Sequence, residues 1–171
     1  MKNFIPAKSQ NLKDLAYAIY SQIYSHKKPV FMCVGTDKVV ADSLAPIVAE
    51  ILRKKYTINA FVYGGINHNI NATNLIECYN YITTIHSESH IVLVDAGLGD
   101  NVGCVSVGSG AYAGLGKNLP NIKFGNTSIL GIVGSSSRDF NLHTVKLKQI
   151  LDMAEFISKS IAMAMSLMPK S

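Results

Sequence analysis

The sequence predicts an α/β domain of three layers, with helices on both faces of a mixed, mainly parallel sheet of about five strands. Three observations carry this. Apolar runs of strand length alternate along the chain with stretches of helical period, the pattern of a sheet wound by crossover helices. Two of those runs, Val30–Val34 and the HIVLVD that ends on Asp95, are apolar almost without interruption, as strands covered on both faces are. The connector from Ala96 to Val102 is too short for a crossover helix, so GCVSV after it should run antiparallel to the preceding strand.

The elements follow in order. Leu12, Leu15, Ala16, Ile19 and Ile23 recur at helical spacing, which predicts an amphipathic helix over about 11–25 with one face on the sheet. Lys27, Lys28 and Pro29 end it before the strand Val30–Val34, and Gly35 ends that strand. Asp42 and Ser43 are residues of the helix-capping type, and either one places Pro46 in the first turn, where a missing N–H costs least. The helix so opened runs to about Tyr56. Ile58 to Tyr63 forms the next strand, and Gly64-Gly65 turns into the polar loop INHNIN. Leu75, Ile76, Tyr79 and Ile82 mark the buried face of a helix from about Ala72 to Ile85. After HIVLVD and GCVSV, the glycine-rich stretch 108–126 is long enough to be functional rather than a mere connection. We expect it to border the functional cleft. A strand at about Ser128 to Val133 leads through GSSSRDF into a long last helix, with Leu147, Ile150, Leu151, Ala154, Ile157, Ile161 and Met165 at helical intervals.

At 171 residues and 48% hydrophobic content, residues 1–171 suit a single domain with a full core. The formal charge of +5 comes from dispersed lysines, and the run Arg53-Lys54-Lys55 sits at a helix end where it complements the helix dipole. Trp is absent and no basic stripe is present, so no direct nucleic-acid binding is expected. Cys33, Cys78 and Cys104 are odd in number and lack C-x-x-C spacing, which reads as reduced core thiols of a cytoplasmic protein. The opening MKNFIPAKSQ has neither the layout of a signal peptide nor a membrane-spanning run, so no membrane partner is expected.

The residues that bear chemistry are acids. Asp37 and Asp42 follow one buried strand, and Asp95 closes another. Ligands of open α/β sheets collect at the carboxyl ends of such strands, and neighbouring strands lie about 4.8 Å apart, so the three share an address. Capping alone would also account for Asp42, solvation for Asp37, and hydrogen bonds from nearby N–H groups for a surface Asp95 at a strand end. The glycine-rich stretch fails as a phosphate loop, because the G-x-G-x-x-G register meets Ala113 and the P-loop register meets Ala111 and Asn118. His86 and His90 flank a helix-to-strand loop rather than sharing a helix face, so no metal site is expected there. His68 and His143 are isolated loop histidines, and no G-x-S-x-G elbow is present.

Taken together, GTDKVVADSLAP from Gly35, VYGGINHNINATNL from Val62, VDAGLGDNVG from Val94, GKNLP from Gly116 and LGIVG from Leu130 resemble the YyaC-type spore proteases. These are relatives of the germination protease that degrades small acid-soluble spore proteins and, more distantly, of the hydrogenase maturation proteases. The resemblance runs over about residues 28–165. It implies a phosphorylase/hydrolase-like fold and an aspartic-type endopeptidase of sporulation or germination, cytoplasmic in the sporulating cell or spore core. Asp42, seven residues after Gly35, matches the first catalytic aspartate and Asp95 the second. Beside these two matches, we read Asp37 as an auxiliary acid and Lys117 and Asn118 as substrate-binding residues. The partner implied is a small spore protein or peptide. No cofactor is implied, while metal dependence and homo-oligomerisation stay open. Two alternatives remain: a non-catalytic sporulation factor that binds a peptide or protein in the same cleft, and a metal-dependent peptidase of the maturation type.

Overall fold

The structure is a computed structural model that describes residues 3–25, 28–111 and 123–169. In chain order it forms β1 (Asn3–Pro6), α1 (Leu12–Ile23), β2 (Val30–Cys33), α2 (Leu44–Lys55), β3 (Phe61–Tyr63), α3 (Leu75–Ile85), β4 (Ile91–Leu98), β5 (Cys104–Ser109), β6 (Thr127–Gly134) and α4 (Leu147–Ser166). Short 3-10 turns span Ser9–Asn11, Val40–Asp42 and Leu142–Thr144.

Among the described residues the strands make one six-stranded sheet in the order β1-β5-β6-β4-β2-β3. β3, β2, β4 and β6 are mutually parallel, and β5 runs antiparallel to both β6 and β1. The mixed, mainly parallel α/β sheet expected from the sequence is therefore present, with six strands rather than five. The addition is β1, whose NFIP carries no strand-like pattern and is held by its register with Cys104–Val107. GCVSV has the expected direction but not the expected neighbour: β6 lies between β4 and β5. A strand from later in the chain takes the place beside β4, parallel to it over Val92–Leu98.

Side-chain alternation divides the core. Phe31, Cys33, Val92, Val94 and Ile129 point to the face covered by α1, α2 and α4, where they meet Leu15, Ile19, Leu44, Val48, Ile157 and Ile161. Val30, Met32, Ile91 and Leu93 point to the other face, where Leu75 and Ile82 of α3 pack with Ala111 and Phe124. Such a two-sided arrangement is what uninterrupted apolar strands require. α4 packs against both α1 and α2. Its inner face comes close to the sheet because Gly131 has no side chain; a Cβ there would strike Leu44 and lie 2.7 Å from the Met153 sulfur.

Two helices bury less than their periodicity suggests. α3 begins at Leu75 rather than Ala72, and Ile76 is 48% exposed. Leu147 and Leu151 of α4 are likewise exposed, because the sheet and flanking helices contact only the face that bears Ile150, Ala154 and Ile157. Ile58 is not part of a strand, since pairing with β2 begins at Phe61. Among the described residues no helix is long and apolar enough to cross a membrane.

β3 is an edge strand, and its outer carbonyls are occupied. Phe61 donates its amide to Pro29 on the β2 side, so Val62 turns outward, where the Arg53 guanidinium donates to Val62 O (3.3 Å) and to Gly64 O. Glu50 Oε1 accepts from Arg53 (3.5 Å) and from the Ile66 amide (3.3 Å), which fixes the guanidinium and the loop together. Free edge carbonyls template pairing with another chain. Arg53→Ala is therefore expected to raise concentration-dependent self-association in light scattering; a scattering profile unchanged from wild type would show that the edge is harmless without Arg53.

Candidate active site

The winding of the chain decides where a cleft opens. From β2 the chain crosses through α2 to β3 on one side, while from β4 it proceeds to β5 and β6 on the other. β2 and β4 are neighbours, so their carboxyl ends flank the topological switch point, where open α/β sheets hold their ligands. The segment Gly35–Asp42 follows β2 there, and Asp95 belongs to β4. The last β2–β4 pair is Cys33 with Val94, and Val34 N donates to Val94 O (2.9 Å), which sets Asp95 level with the end of β2.

Gly35 makes the approach of Asp42 feasible. Its φ of +149° is one that side-chain-bearing residues rarely adopt, and a Cβ on it would collide with the Asp42 carbonyl oxygen and touch Pro46 Cδ at 3.0 Å. The Val40–Asp42 turn thus folds directly over Gly35, and Thr36 N donates to Asp42 O (3.1 Å). Ser43 occupies the N-cap of α2, but its hydroxyl donates back to Val40 O (2.7 Å) instead of accepting from the helix. Asp42 lies within the turn that precedes the cap. Neither side chain caps α2, so capping does not account for the carboxylate.

Burial pushes the Asp42 carboxyl above the ordinary carboxylate value, and the Thr36 amide beside it offsets part of that rise. The largest cause is desolvation. With the folded-state value raised, the protonated form is the one the fold favours. Stability is lost as pH climbs from the ordinary carboxylate value through the raised one, and the loss stays constant above it. Asp42→Asn is therefore expected to melt higher than wild type at neutral pH, with the gap closing in acid. An Asn variant that melts lower at neutral pH would contradict burial as the cause.

Asp95 is 7% exposed, and its Oδ1 accepts from the Ala96 amide (2.8 Å). By alternation it belongs to the row of Ile91 and Leu93, and it pairs in register with Leu130 of β6. The turn that carries Asp42 packs against β4, so both acids stand at one end of the sheet. The next wall is tied to β6: Gly99 N donates to Gly134 O (2.9 Å), and Ser136 Oγ donates to Asp100 (3.1 Å).

A family model described as "Protein of unknown function (DUF1256)" matches residues 4–160. The chain belongs to the DUF1256 family. It is similar to the uncharacterized protein YyaC of Bacillus subtilis (strain 168), at 31% identity over 144 residues that cover 80% of this chain and 69% of that protein. The YyaC-type membership expected from the motifs therefore holds. No solved structure matches the chain.

The remaining sequence candidates sit differently in the DUF1256 fold. Asp37 is exposed, and its Oδ1 accepts from Asn69 Nδ2 (3.0 Å), so it anchors the loop after β3. That loop is drawn over β2 by the bridge between Val34 and Ile70 and by Gly35 N donating to Ile70 O (2.7 Å). Asn69 O accepts in turn from Asn74 Nδ2 (2.9 Å), while Asn69 Oδ1 is buried and accepts no hydrogen bond. Sequence reasoning passed over Asn69. The signal was the asparagine-rich INHNINATN directly after a strand, at the carboxyl end of the sheet.

Lys117 and Asn118 lie outside the described residues. The described ends of the glycine-rich stretch are built into the fold: Gly110 N donates to Asn126 O (2.6 Å), Phe124 N to Ala111 O (2.7 Å) and Asn126 N to Ile91 O (2.8 Å). Ala111 and Phe124 are buried under α3. β5 is antiparallel, so the stretch starts from the amino ends of β4 and β6, at the end of the sheet opposite Asp42 and Asp95. Its described ends do not border the cleft as expected.

The histidines diverge. His86 Nε2 meets the Tyr63 hydroxyl at 2.8 Å and its ring lies on Phe61, with centroids 4.0 Å apart, whereas His90 Nε2 meets Thr127 Oγ1 at 2.8 Å. His68 and His143 are exposed. Among the described residues, no three His, Cys, Asp or Glu side chains gather to hold a metal ion. Cys33, Cys78 and Cys104 are free thiols. Burial pushes the Cys33 thiol up to about 12, which makes it inert as a nucleophile.

Proposed function

We propose that this DUF1256 protein is an aspartic-type endopeptidase of sporulation or germination that cleaves a small spore protein, as the germination protease its motifs resemble does. The observation that carries the reading is Asp42: a carboxyl group held above its ordinary value by burial, in a turn folded over Gly35 at the switch point of the sheet. A carboxyl that keeps its proton into milder pH is suited to act as general acid. Asp95, at the end of the adjacent strand, is the base. It takes a proton from water as that water attacks the peptide carbonyl carbon, and Asp42 delivers its own proton to the leaving amine as the C–N bond breaks. The proton that Asp95 gained then passes through water to Asp42, which restores the ionised base and the protonated acid.

The test is incubation of the purified protein with small acid-soluble spore proteins across a range of pH, with and without a chelator. Fragments formed equally in both arms, at a rate that declines once pH passes the titration of Asp42, support the reading. Cleavage abolished by the chelator would replace it with a metal-dependent peptidase. Binding without cleavage at any pH would replace it with a partner-binding role.

A further inference from the structure

We infer that Asn69 is a substrate-positioning residue whose Oδ1 accepts a main-chain N–H of the polypeptide in the cleft, an inference that rests on the endopeptidase reading. The loop that carries it stands at the carboxyl end of β2, beside Gly35 and Asp37, and thus on the rim that holds Asp42. Its carboxamide has one side committed and one side open. Nδ2 donates to Asp37 Oδ1 at 3.0 Å, while Oδ1 is buried with no donor in reach. Rotating the amide by half a turn does not repair this, because it would set the oxygen against the Asp37 carboxylate. A buried acceptor with no partner is costly, yet the loop fixes Asn69 in that state from two directions, through Asp37 and through Asn74.

The missing partner is a donor, which excludes a carboxylate or carbonyl oxygen of a ligand. Asn69 is half-buried and its loop neighbours Ile66, Asn67 and His68 are exposed, so the residue stands in a surface loop rather than in the core. The donor that every polypeptide supplies, whatever its side chains, is the backbone amide. A hydrogen bond from it would fix the height of the chain above the strand ends without selecting sequence. Asp37 thereby acts through Asn69, as its anchor, rather than as a third acid.

The test uses the Asp42→Asn protein, which binds without turnover, and synthetic peptides from a small acid-soluble spore protein, each with a single backbone N-methyl group or none. Adding Asn69→Leu, which is close in size and has no polar atom, should weaken binding of the unmethylated peptide about tenfold, the worth of one such hydrogen bond. Melting should change little, since the lost bond to Asp37 is solvent-exposed and no orphaned acceptor is left to offset. One N-methyl position should weaken binding to the Asp42→Asn protein by a similar factor and have no further effect once Asn69 is Leu. Undiminished binding by the Leu variant, or N-methyl effects that add to it at every position, would overturn the inference and leave the endopeptidase reading standing. A clear drop in melting would assign Asn69 a structural role instead. Failure of the Asp42→Asn and wild-type proteins to bind any of the peptides would remove the endopeptidase reading and the inference with it.

Discussion

Gly35→Ala is expected to unseat the Val40–Asp42 turn and to lower both stability and cleavage. The backbone at +149° costs an alanine roughly 1–3 kcal/mol before any contact is considered. The new Cβ would also occupy the position of the Asp42 carbonyl oxygen, which is main chain and cannot swing aside as a side-chain tip would. Relief requires lifting the turn, and that breaks the Thr36–Asp42 hydrogen bond and moves the carboxyl group out of its buried setting. Thermal melting and the cleavage assay read the two effects separately. An alanine variant that melts and cleaves like wild type would show that Asp42 is not held in place by Gly35.

Asp42→Asn and Asp95→Asn are each expected to reduce cleavage by at least about a hundredfold, the lower range for loss of a general acid or base, while both proteins remain folded. An amide neither takes a proton from water nor gives one to a leaving amine. The companion alanine variants separate chemistry from structure. Asp42 caps no helix, so Asp42→Ala should melt close to Asp42→Asn. Asp95 receives the Ala96 amide, and an Asn oxygen can keep that bond, whereas Asp95→Ala takes the acceptor away from this half-buried N–H and should melt lower by about 1 kcal/mol. Full cleavage by either Asn variant would take that residue out of the chemistry.

The buried strands were the legible part of the sequence, because a strand covered on both faces has to be apolar at every position, and Val30–Val34 and Ile91–Val94 are. The strand-end addresses of Asp42 and Asp95 follow from the same pattern. What escaped depends on partners far along the chain. Asn3–Pro6 is a strand only because Cys104–Val107 offers it an edge. GCVSV finds β6 rather than β4 because a strand some twenty residues later fits between them. Periodicity overcounts the buried positions of α3 and α4, since Ile76, Leu147 and Leu151 repeat at the right interval on faces that nothing covers. Asn69 carries no local signal beyond its loop; its place is set by the Val34–Ile70 bridge, which only the folded sheet contains.

The pairing of Asn3–Pro6 with Cys104–Val107 also sets an order of events during synthesis. Of the described strands, β1 is translated before its partner and waits until most of the sheet has been made, and α4, which covers the face shared by α1 and α2, follows all of them. A long, strongly β-forming segment left waiting that long would invite pairing with other nascent chains. Four residues that end in proline are a poor template for such pairing. The weakness that hides β1 in the sequence thus makes it a safe segment to leave unpaired while the later strands are being translated.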